Sequence, residues 1–440
     1  MQLKSILTAA AAGATLLLTL AAAPPAAAQA KEQFFPVLPY RTGAYAPNGV
    51  PWANGYVDYL KLINARDGGI NGVKITFEEC DTGYATDRGV ECYERLKGKA
   101  TGEIFQPLST GITFALTSKA PADKNVLITS GYGLSESSDG LVFKWNFPML
   151  GTYWSGADII MQHITKKEGG SLKGKKIALV YHDSPYGKEP IPLLQQRAKL
   201  QGYDLTLLPV AAPGVEQKAT WLQIRQLRTD YVLLWGWGVM NSAAIKEAVA
   251  TGYPREHMYG VWWSAGEPDV KDVGDAAKGY NGLVAFGNQG RVIDDIKKYV
   301  HGKGQGTGPI EEVGQTLYMR GMTSAVLAVE AVRRAQERYG KGKVMDGEQI
   351  RWGAENLALD DKKLAALGLT GIMKPLSTSC TDHEGSRSAR IHTWDGKAWQ
   401  ITSDWYAADE AIIKPMVKTA SAKYASEKNV TPRTPADCQS

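Results

Sequence analysis

Three residue types associated with nucleophilic catalysis, His182, Asp183 and Ser184, stand side by side in the chain. A catalytic relay needs such groups to converge, but neighbouring side chains on a strand point to opposite faces, so the adjacency reads as a polar strand end. Other signatures are incomplete. Gly131-Tyr132-Gly133 lacks the third glycine of a dinucleotide cradle, and Gly98-Lys99 is followed by Ala100 where a phosphate loop needs a hydroxyl. No GxSxG nucleophile elbow occurs. Glu78, Glu79 and Asp81 read as a solvated strand end rather than a general acid/base pair. The 6 His show no HxxxH or HExxH spacing and the 4 Cys no CxxC, so the zinc patterns are absent. These residues call for no enzyme, metal or cofactor.

What the chain does concentrate is aromatic side chains with a polar tip, 12 Trp and 20 Tyr against 8 Phe. Such residues serve a wet, specific contact surface as well as a core. They recur, with Ser, Thr and Gly, where β-rich runs end: Tyr40-Arg41, Ser109-Thr110-Gly111, Gly131-Tyr132-Gly133, Tyr181-His182-Asp183 with Tyr186, Trp235-Gly236-Trp237, and Trp262-Trp263. In open α/β sheets ligands bind beyond the carboxyl ends of the strands, and backbone amides at helix starts there favour an anion. A single Trp reads equally well as core. Their succession at strand ends predicts an apolar aromatic pocket with few polar groups. Trp235 and Trp237 share a face if the strand persists that far.

The elements that would position these residues follow from hydrophobic periodicity. Strands are predicted at Gln33–Tyr40, Val73–Cys80, Glu103–Leu108, Asn125–Ser130, Lys175–His182, Tyr203–Val210, Asp230–Trp235 and His257–Trp263. Helical spacing fills Gly55–Ala65, Asp87–Lys97, Gly156–Glu168, Pro192–Gln201 and Asn241–Thr251, and an apolar stripe runs through Tyr318, Met322, Ala325, Val326, Val329 and Val332. This alternation predicts parallel sheets with right-handed crossovers, covered on both faces. A chain of 440 residues is too long for one core, which predicts two α/β lobes. Lys303–Gly308 reads as a Gly-rich loop and Ala425–Ser440 as a polar tail.

Composition and termini set the context. With 44% hydrophobic and 22% charged residues the chain is globular, and 50 basic against 45 acidic residues argues against a dedicated nucleic-acid binder. Residues 1–30 carry one charge, Lys4, then an apolar run Ile6–Ala23 and a closing Ala28-Gln29-Ala30, the pattern of a cleavable signal peptide. The break at Pro24-Pro25 argues against a membrane anchor, and no later run approaches the roughly 20 apolar residues a bilayer requires. Four Cys in an exported chain fit two disulfides, and local pairing, Cys80 with Cys92 and Cys380 with Cys438, is the simplest of the possible connectivities.

The order Leu38-Pro39-Tyr40, Thr42-Gly43, Ile63-Asn64-Ala65, Gly68-Gly69-Ile70-Asn71-Gly72 and Cys80-Asp81 resembles the leucine/isoleucine/valine-binding protein family. Leu108-Ser109-Thr110-Gly111, Ile177–Val180 with Tyr186-Gly187, Tyr231–Gly238 and Trp394-Asp395-Gly396 extend the resemblance over nearly all of the mature chain. These are periplasmic type I solute-binding proteins of ABC importers. The resemblance implies an α/β fold of two Rossmann-like lobes joined by three crossovers, with a ligand cleft between them. The crossovers would fall near Asn146–Leu150, Ala285–Asn288 and Lys374–Ser379. Lobe 1 would be residues 31–147 plus 287–375, and lobe 2 residues 148–286 plus 376–440. A periplasmic location, a small-molecule ligand, membrane permease partners and a monomeric state are implied, with no cofactor and no nucleic acid.

Carried over by position, Ser109 and Thr110 would hold the ligand carboxylate, with the Tyr132 backbone beside them. Gly133 stands where amino-acid binders of the family often have Thr. Tyr186 matches a cleft-lining tyrosine and Trp237 replaces another; Tyr40, Arg41 and Trp235 complete the expected ligand-binding set. Trp262 aligns with the position that supplies Glu to the ligand ammonium. Neither Trp263 nor Ser264 restores that carboxylate, whereas Glu267 lies a few residues on. Cys80 matches a family half-cystine whose usual partner position reads Leu108, which leaves Cys92 as its substitute. The expected ligand is a small aromatic carboxylate of benzoate or cinnamate type. Alternatives are a branched-chain amino acid or amide binder, which a rescuing Glu267 would favour, a ligand-sensing domain, or a hydrolase on the same fold, for which a nucleophile–base pair is missing.

Overall fold

The computed structural model describes residues 31–438; the predicted signal peptide lies outside the described residues. Strands β1 (Glu32–Val37) and β2 (Lys74–Glu79) pair in parallel, as do β3 (Ile104–Phe105), β4 (Val126–Ile128) and β5 (Asn146–Phe147). β1 lies beside β3, so these five strands form one layer. A second, larger sheet contains β6 (Lys176–His182), β7 (Asp204–Val210), β8 (Tyr231–Trp235), β9 (Met258–Gly260) and β10 (Asn281–Val284). β11 (Ala358–Leu359) and β12 (Leu376–Ser377) form a small antiparallel pair. The chain then returns to the large sheet as β13 (Ser388–Trp394), with β14 (Trp399–Ile401) and β15 (Tyr406–Ala407) against it.

The order in the large sheet is β14-β13-β10-β9-β8-β6-β7. It is parallel from β7 to β10 and antiparallel at β13, so the wholly parallel expectation fails at this edge. β14 is antiparallel to β13 for a local reason: the two are joined through the short Asp395–Ala398 turn, and so tight a connection permits only an antiparallel pair. Each predicted strand is present; those predicted to end at His182, Val210 and Trp235 do so, and the other five end earlier. The predicted Gln33–Tyr40 stops at Val37 and Glu103–Leu108 stops at Phe105, because the chain there turns away from the ladder. The predicted polar tail overlaps a helix, Glu410–Lys428.

The large sheet is buried on both faces, and the two-residue period divides its side chains between two cores. Ile177 and Leu179 belong to one cluster with Leu233 and Trp235, while Ala178 and Val180 join Val232 and Leu234 in another. The chain passes between the sheets three times. Asn146–Phe147 pairs with β4 and leads into the Tyr153–Lys167 helix, which packs on β13. Residues after β10 lead to the Arg291–Tyr299 helix, which packs on the Ala46–Asp67 helix. The last passage follows β12.

One helix pair fixes what stands behind the cleft. The Ala46–Asp67 helix buries Trp52, Tyr56, Tyr59 and Ile63 and crosses the Thr316–Tyr339 helix along much of its length. At the crossing a Cβ on Gly55 would lie 2.0 Å from the Tyr318 carbonyl, and one on Gly321 1.8 Å from the Trp52 carbonyl. Only glycine at both positions lets the backbones meet this closely. Two disulfides close the structure, Cys80–Cys92 and Cys380–Cys438, in the local pairing.

Candidate functional site

A narrow cavity lies between the two sheets, walled by residues that follow the parallel strands. Tyr40 follows β1, Tyr84 follows β2, and Leu108, Ser109 and Thr110 follow β3. Tyr132 follows β4 and Tyr153 opens the helix after β5, while Tyr186, Trp237 and Trp263 follow β6, β8 and β9. Of these 10 lining side chains 7 are aromatic and none is charged. The rings support one another edge to face: Tyr40 stands 4.9 Å from Tyr84 and 5.8 Å from Trp237, and Trp237 stands 5.1 Å from Trp263.

The polar atoms of the wall are largely anchored. Ser109 is the N-cap of the Thr110–Thr117 helix, its Oγ accepting from the Ile112 amide at 3.4 Å. The Thr110 hydroxyl accepts from the Gly133 amide at 3.2 Å. Tyr132, which lines the cavity, donates to Gln106 Oε1 at 3.1 Å and accepts from the Leu108 amide at 3.1 Å. Tyr186 donates to the Gly236 carbonyl at 2.8 Å. Burial raises the hydroxyl pKa of Tyr40, Tyr153 and Tyr186 far above the ordinary phenol value, so these rings stay neutral.

Of the residues singled out in the sequence, Tyr40, Ser109, Thr110, Tyr132, Tyr186 and Trp237 line the cavity. Four others stand outside its wall. Arg41 turns to Glu79, with Nε 2.5 Å from Oε2, and to Asn54. Trp235 is the last residue of β8 and lies fully buried, 6.1 Å from the Tyr153 ring. Gly133 stands against Glu189: a Cβ there would meet Oε1 at 2.5 Å, so the carboxylate fills the space a threonine side chain would take. Trp262 sits one layer back, stacked on Tyr153 at 5.9 Å, and its neighbour Trp263 takes the wall. Both indoles donate to the same Gly131 carbonyl, at 2.7 and 2.6 Å. Glu267 is tied to Thr316, accepting from its amide at 3.0 Å and its hydroxyl at 3.1 Å, and does not line the cavity.

The sequence reading missed Tyr84, Leu108, Tyr153 and Trp263 in the wall, and Arg320 behind it. Tyr84 and Tyr153 obey the same strand-end rule that found the others. Arg320 obeys none; its guanidinium lies 4.2 Å from the Trp263 ring centre and 5.0 Å from that of Trp262. Burial lowers its pKa from 12.5 to about 9, which leaves it cationic at neutral pH. Among the described residues no cluster of His, Cys, Asp and Glu could hold a metal ion, and no helix is long and apolar enough to cross a membrane.

Hydrogen bonds tie the two walls together. Tyr45 meets His182 Nε2 at 2.8 Å, Asn48 donates to Asp269 at 3.0 Å, and the Ser135 hydroxyl donates to Glu189 at 2.7 Å. The indoles of Trp262 and Trp263 reach Gly131 across the same gap. Two α/β lobes of parallel strands, closed on a cavity at the strands' carboxyl ends, define a type I periplasmic binding protein.

Comparison with known proteins agrees. The family model for periplasmic binding proteins matches residues 32–398, and the chain belongs to that family, the substrate-binding components of ABC transporters. A search of curated protein sequences gives no match. Among solved structures, the chain is similar to an ABC transporter permease, so named, from the Pseudomonas fluorescens group, with 42% identity and a TM-score of 0.86 over 92% of this chain and 100% of that one. A branched-chain amino acid ABC transporter from Thermus thermophilus with bound valine shares the fold at 20% identity and TM-score 0.73, over 88% and 98% of the two chains. So does an ABC transporter solute-binding protein from R. palustris in complex with benzoate, at 16% identity and TM-score 0.66, over 87% and 99%.

Proposed function

We propose that the cavity captures a small aromatic carboxylate of benzoate or cinnamate type, and that the protein, exported to the periplasm as a monomer, delivers it unaltered to the permease subunits of an ABC importer. The observation that carries this reading is the composition of the wall: 7 aromatic side chains among 10, and no carboxylate. An α-amino acid would bring an ammonium without a partner, which costs several kcal/mol on burial and of order a thousandfold in affinity. Flat rings instead find flat walls, and each aromatic pair adds roughly 0.5–1.5 kcal/mol beyond burial. Ser109 and Thr110 at a helix start offer the carboxylate a hydroxyl and amides. A benzoate complex on the same fold supports the reading by analogy.

In this reading residues 31–147 plus 287–375 form one lobe, residues 148–286 plus 376–440 the other, and the ligand bridges them. A branched-chain amino acid reading would need Glu267, which is already held by Thr316. Calorimetry on the mature protein should show tight binding of benzoate or cinnamate and none of leucine, valine or phenylalanine. Recovery of the ligand chemically unchanged is part of the expected result. Trp263→Ala should weaken the aromatic acid by roughly 30- to 100-fold, as truncated aromatic anchors do. Tight binding of leucine to the wild type would refute the reading.

A further inference from the structure

Arg320 is 1% exposed in the second turn of the Thr316–Tyr339 helix, and among the described residues its guanidinium makes one hydrogen bond, a long one from Nη2 to the Ser130 carbonyl at 3.4 Å. Nε and Nη1 have no acceptor. Buried arginines are ordinarily matched by a carboxylate in a bidentate fork, because an isolated internal charge is costly. Among the described residues no carboxylate pairs with this guanidinium, and the titratable groups nearest its charge are tyrosines of the cavity wall, Tyr132, Tyr153 and Tyr186. Two indole faces, of Trp262 and Trp263, offset part of the cost but do not neutralise the charge. Ser130 Oγ and, one helical turn from Arg320, Ser324 Oγ are also buried without partners among the described residues. The guanidinium behind the wall is therefore a buried cation with no anionic partner among the described residues.

The arrangement is also built in. Gly131 packs directly on the guanidinium, since a Cβ there would lie 1.6 Å from Nη2. The carbonyl of the same residue holds both indoles. Trp263 lines the cavity and carries the guanidinium on its ring, so the charge lies one aromatic ring from any bound ligand.

We infer that Arg320 is the specificity-determining charge of the cleft: an uncompensated guanidinium behind Trp263 that makes the cavity accept a carboxylate and reject its uncharged amide. The inference rests on the proposed small-acid ligand for the place where the anion sits, but not on that ligand being aromatic. A charge on the order of 8 Å from the carboxylate, in a medium of effective dielectric about 20, is worth roughly 30-fold in affinity.

The test pairs each acid with its amide, benzoate with benzamide, cinnamate with cinnamamide and isovalerate with isovaleramide, by calorimetry on the wild type, Arg320→Lys and Arg320→Met. The wild type should prefer an acid over its amide by at least about tenfold, and Arg320→Lys should keep that preference. Arg320→Met should lose roughly 30-fold for the acid while its amide affinity stays within about threefold, a split that a merely loosened wall would not produce. An unchanged acid-to-amide ratio in Arg320→Met overturns the inference and leaves the aromatic-acid reading standing. Isovalerate binding that depends on Arg320, without benzoate binding, supports the charge and overturns the aromatic reading. A wild type that binds amides as well as acids, or binds no acid of the panel, overturns the inference without any variant having to fold.

Discussion

Gly131 links the indole of the cavity wall to the charge behind it, and its backbone explains why a side chain does not serve there. Its φ is +75°, a left-handed conformation that costs an L-residue about 1–2 kcal/mol, and the guanidinium occupies the space a side chain would need. Gly131→Ala should therefore lose about 3 kcal/mol of stability in urea denaturation. In an Arg320→Met background the loss should shrink towards the backbone cost alone; equal losses in both backgrounds would show that the guanidinium is not the obstacle. Glu267 makes a second residue-level case, because burial raises its pKa from 4.5 to about 7 despite the hydrogen bonds from Thr316. The native state then holds a proton that the unfolded state releases, so this contribution is intact below the unfolded value near 4.5 and is lost as pH rises through about 7. Asp269, raised to about 6, works in the same direction. Stability at pH 8 should lie below that at pH 5 by about 1–2 kcal/mol on account of Glu267, a figure discounted for its partial exposure, and Glu267→Gln should reduce the pH 5 to pH 8 difference by that share while Asp269's remains.

At the scale of elements, the C-terminal helix depends on a distant tie. Cys380–Cys438 closes a loop of 58 residues that includes β13, β14 and the Glu410–Lys428 helix, whereas Cys80–Cys92 closes only 12. That helix docks through few large contacts, among them Tyr424 against Phe143 at 4.6 Å. Loop-closure entropy assigns about 4 kcal/mol to the longer bridge and about 3 kcal/mol to the shorter. The Cys380→Ser/Cys438→Ser variant should thus be the less stable of the two paired variants in chemical denaturation. Its Glu410–Lys428 amides should exchange hydrogen faster while those of β6 and β8 stay protected, and the reverse order would contradict this view of the helix.

Over the whole molecule, hydrogen bonds join the two walls of the closed cleft. Tyr45 to His182, Asn48 to Asp269 and Ser135 to Glu189 each link elements of opposite walls. His182 stays neutral because burial lowers its pKa, so the Tyr45 bond is one between uncharged partners. Such a bond contributes about 1 kcal/mol, and a ligand can shift the open–closed balance only through its differential affinity for the closed form. Solution scattering should show a smaller radius of gyration on saturation with ligand, as hinge closure requires. Tyr45→Phe should weaken binding about fivefold and leave the unliganded protein more open by scattering. A radius of gyration that does not change on saturation would rule out closure as the binding step.

Most of the architecture was legible because its causes are local. Periods of two and of 3.6 residues marked the strands and helices, and a strand's carboxyl end carries its ligand-facing residues wherever the sheet is parallel, which placed Tyr40, Ser109, Tyr132, Tyr186 and Trp237 at the cavity. Cys80 with Cys92 followed from closeness in sequence alone. Tertiary structure decided the rest. Whether Trp262 or Trp263 enters the wall turns on the path of the chain past the end of β9, and a one-residue step there exchanges core for ligand surface. Arg320 has no signature in its own neighbourhood: it lies off the apolar stripe of its helix, and its hydrogen-bond partner lies 190 residues away. Its burial follows from the Gly55–Gly321 helix crossing and the space left by Gly131, close approaches between segments remote in sequence. A periodic pattern can say which side of an element is apolar, but only the packed chain determines which charge is left there without a partner.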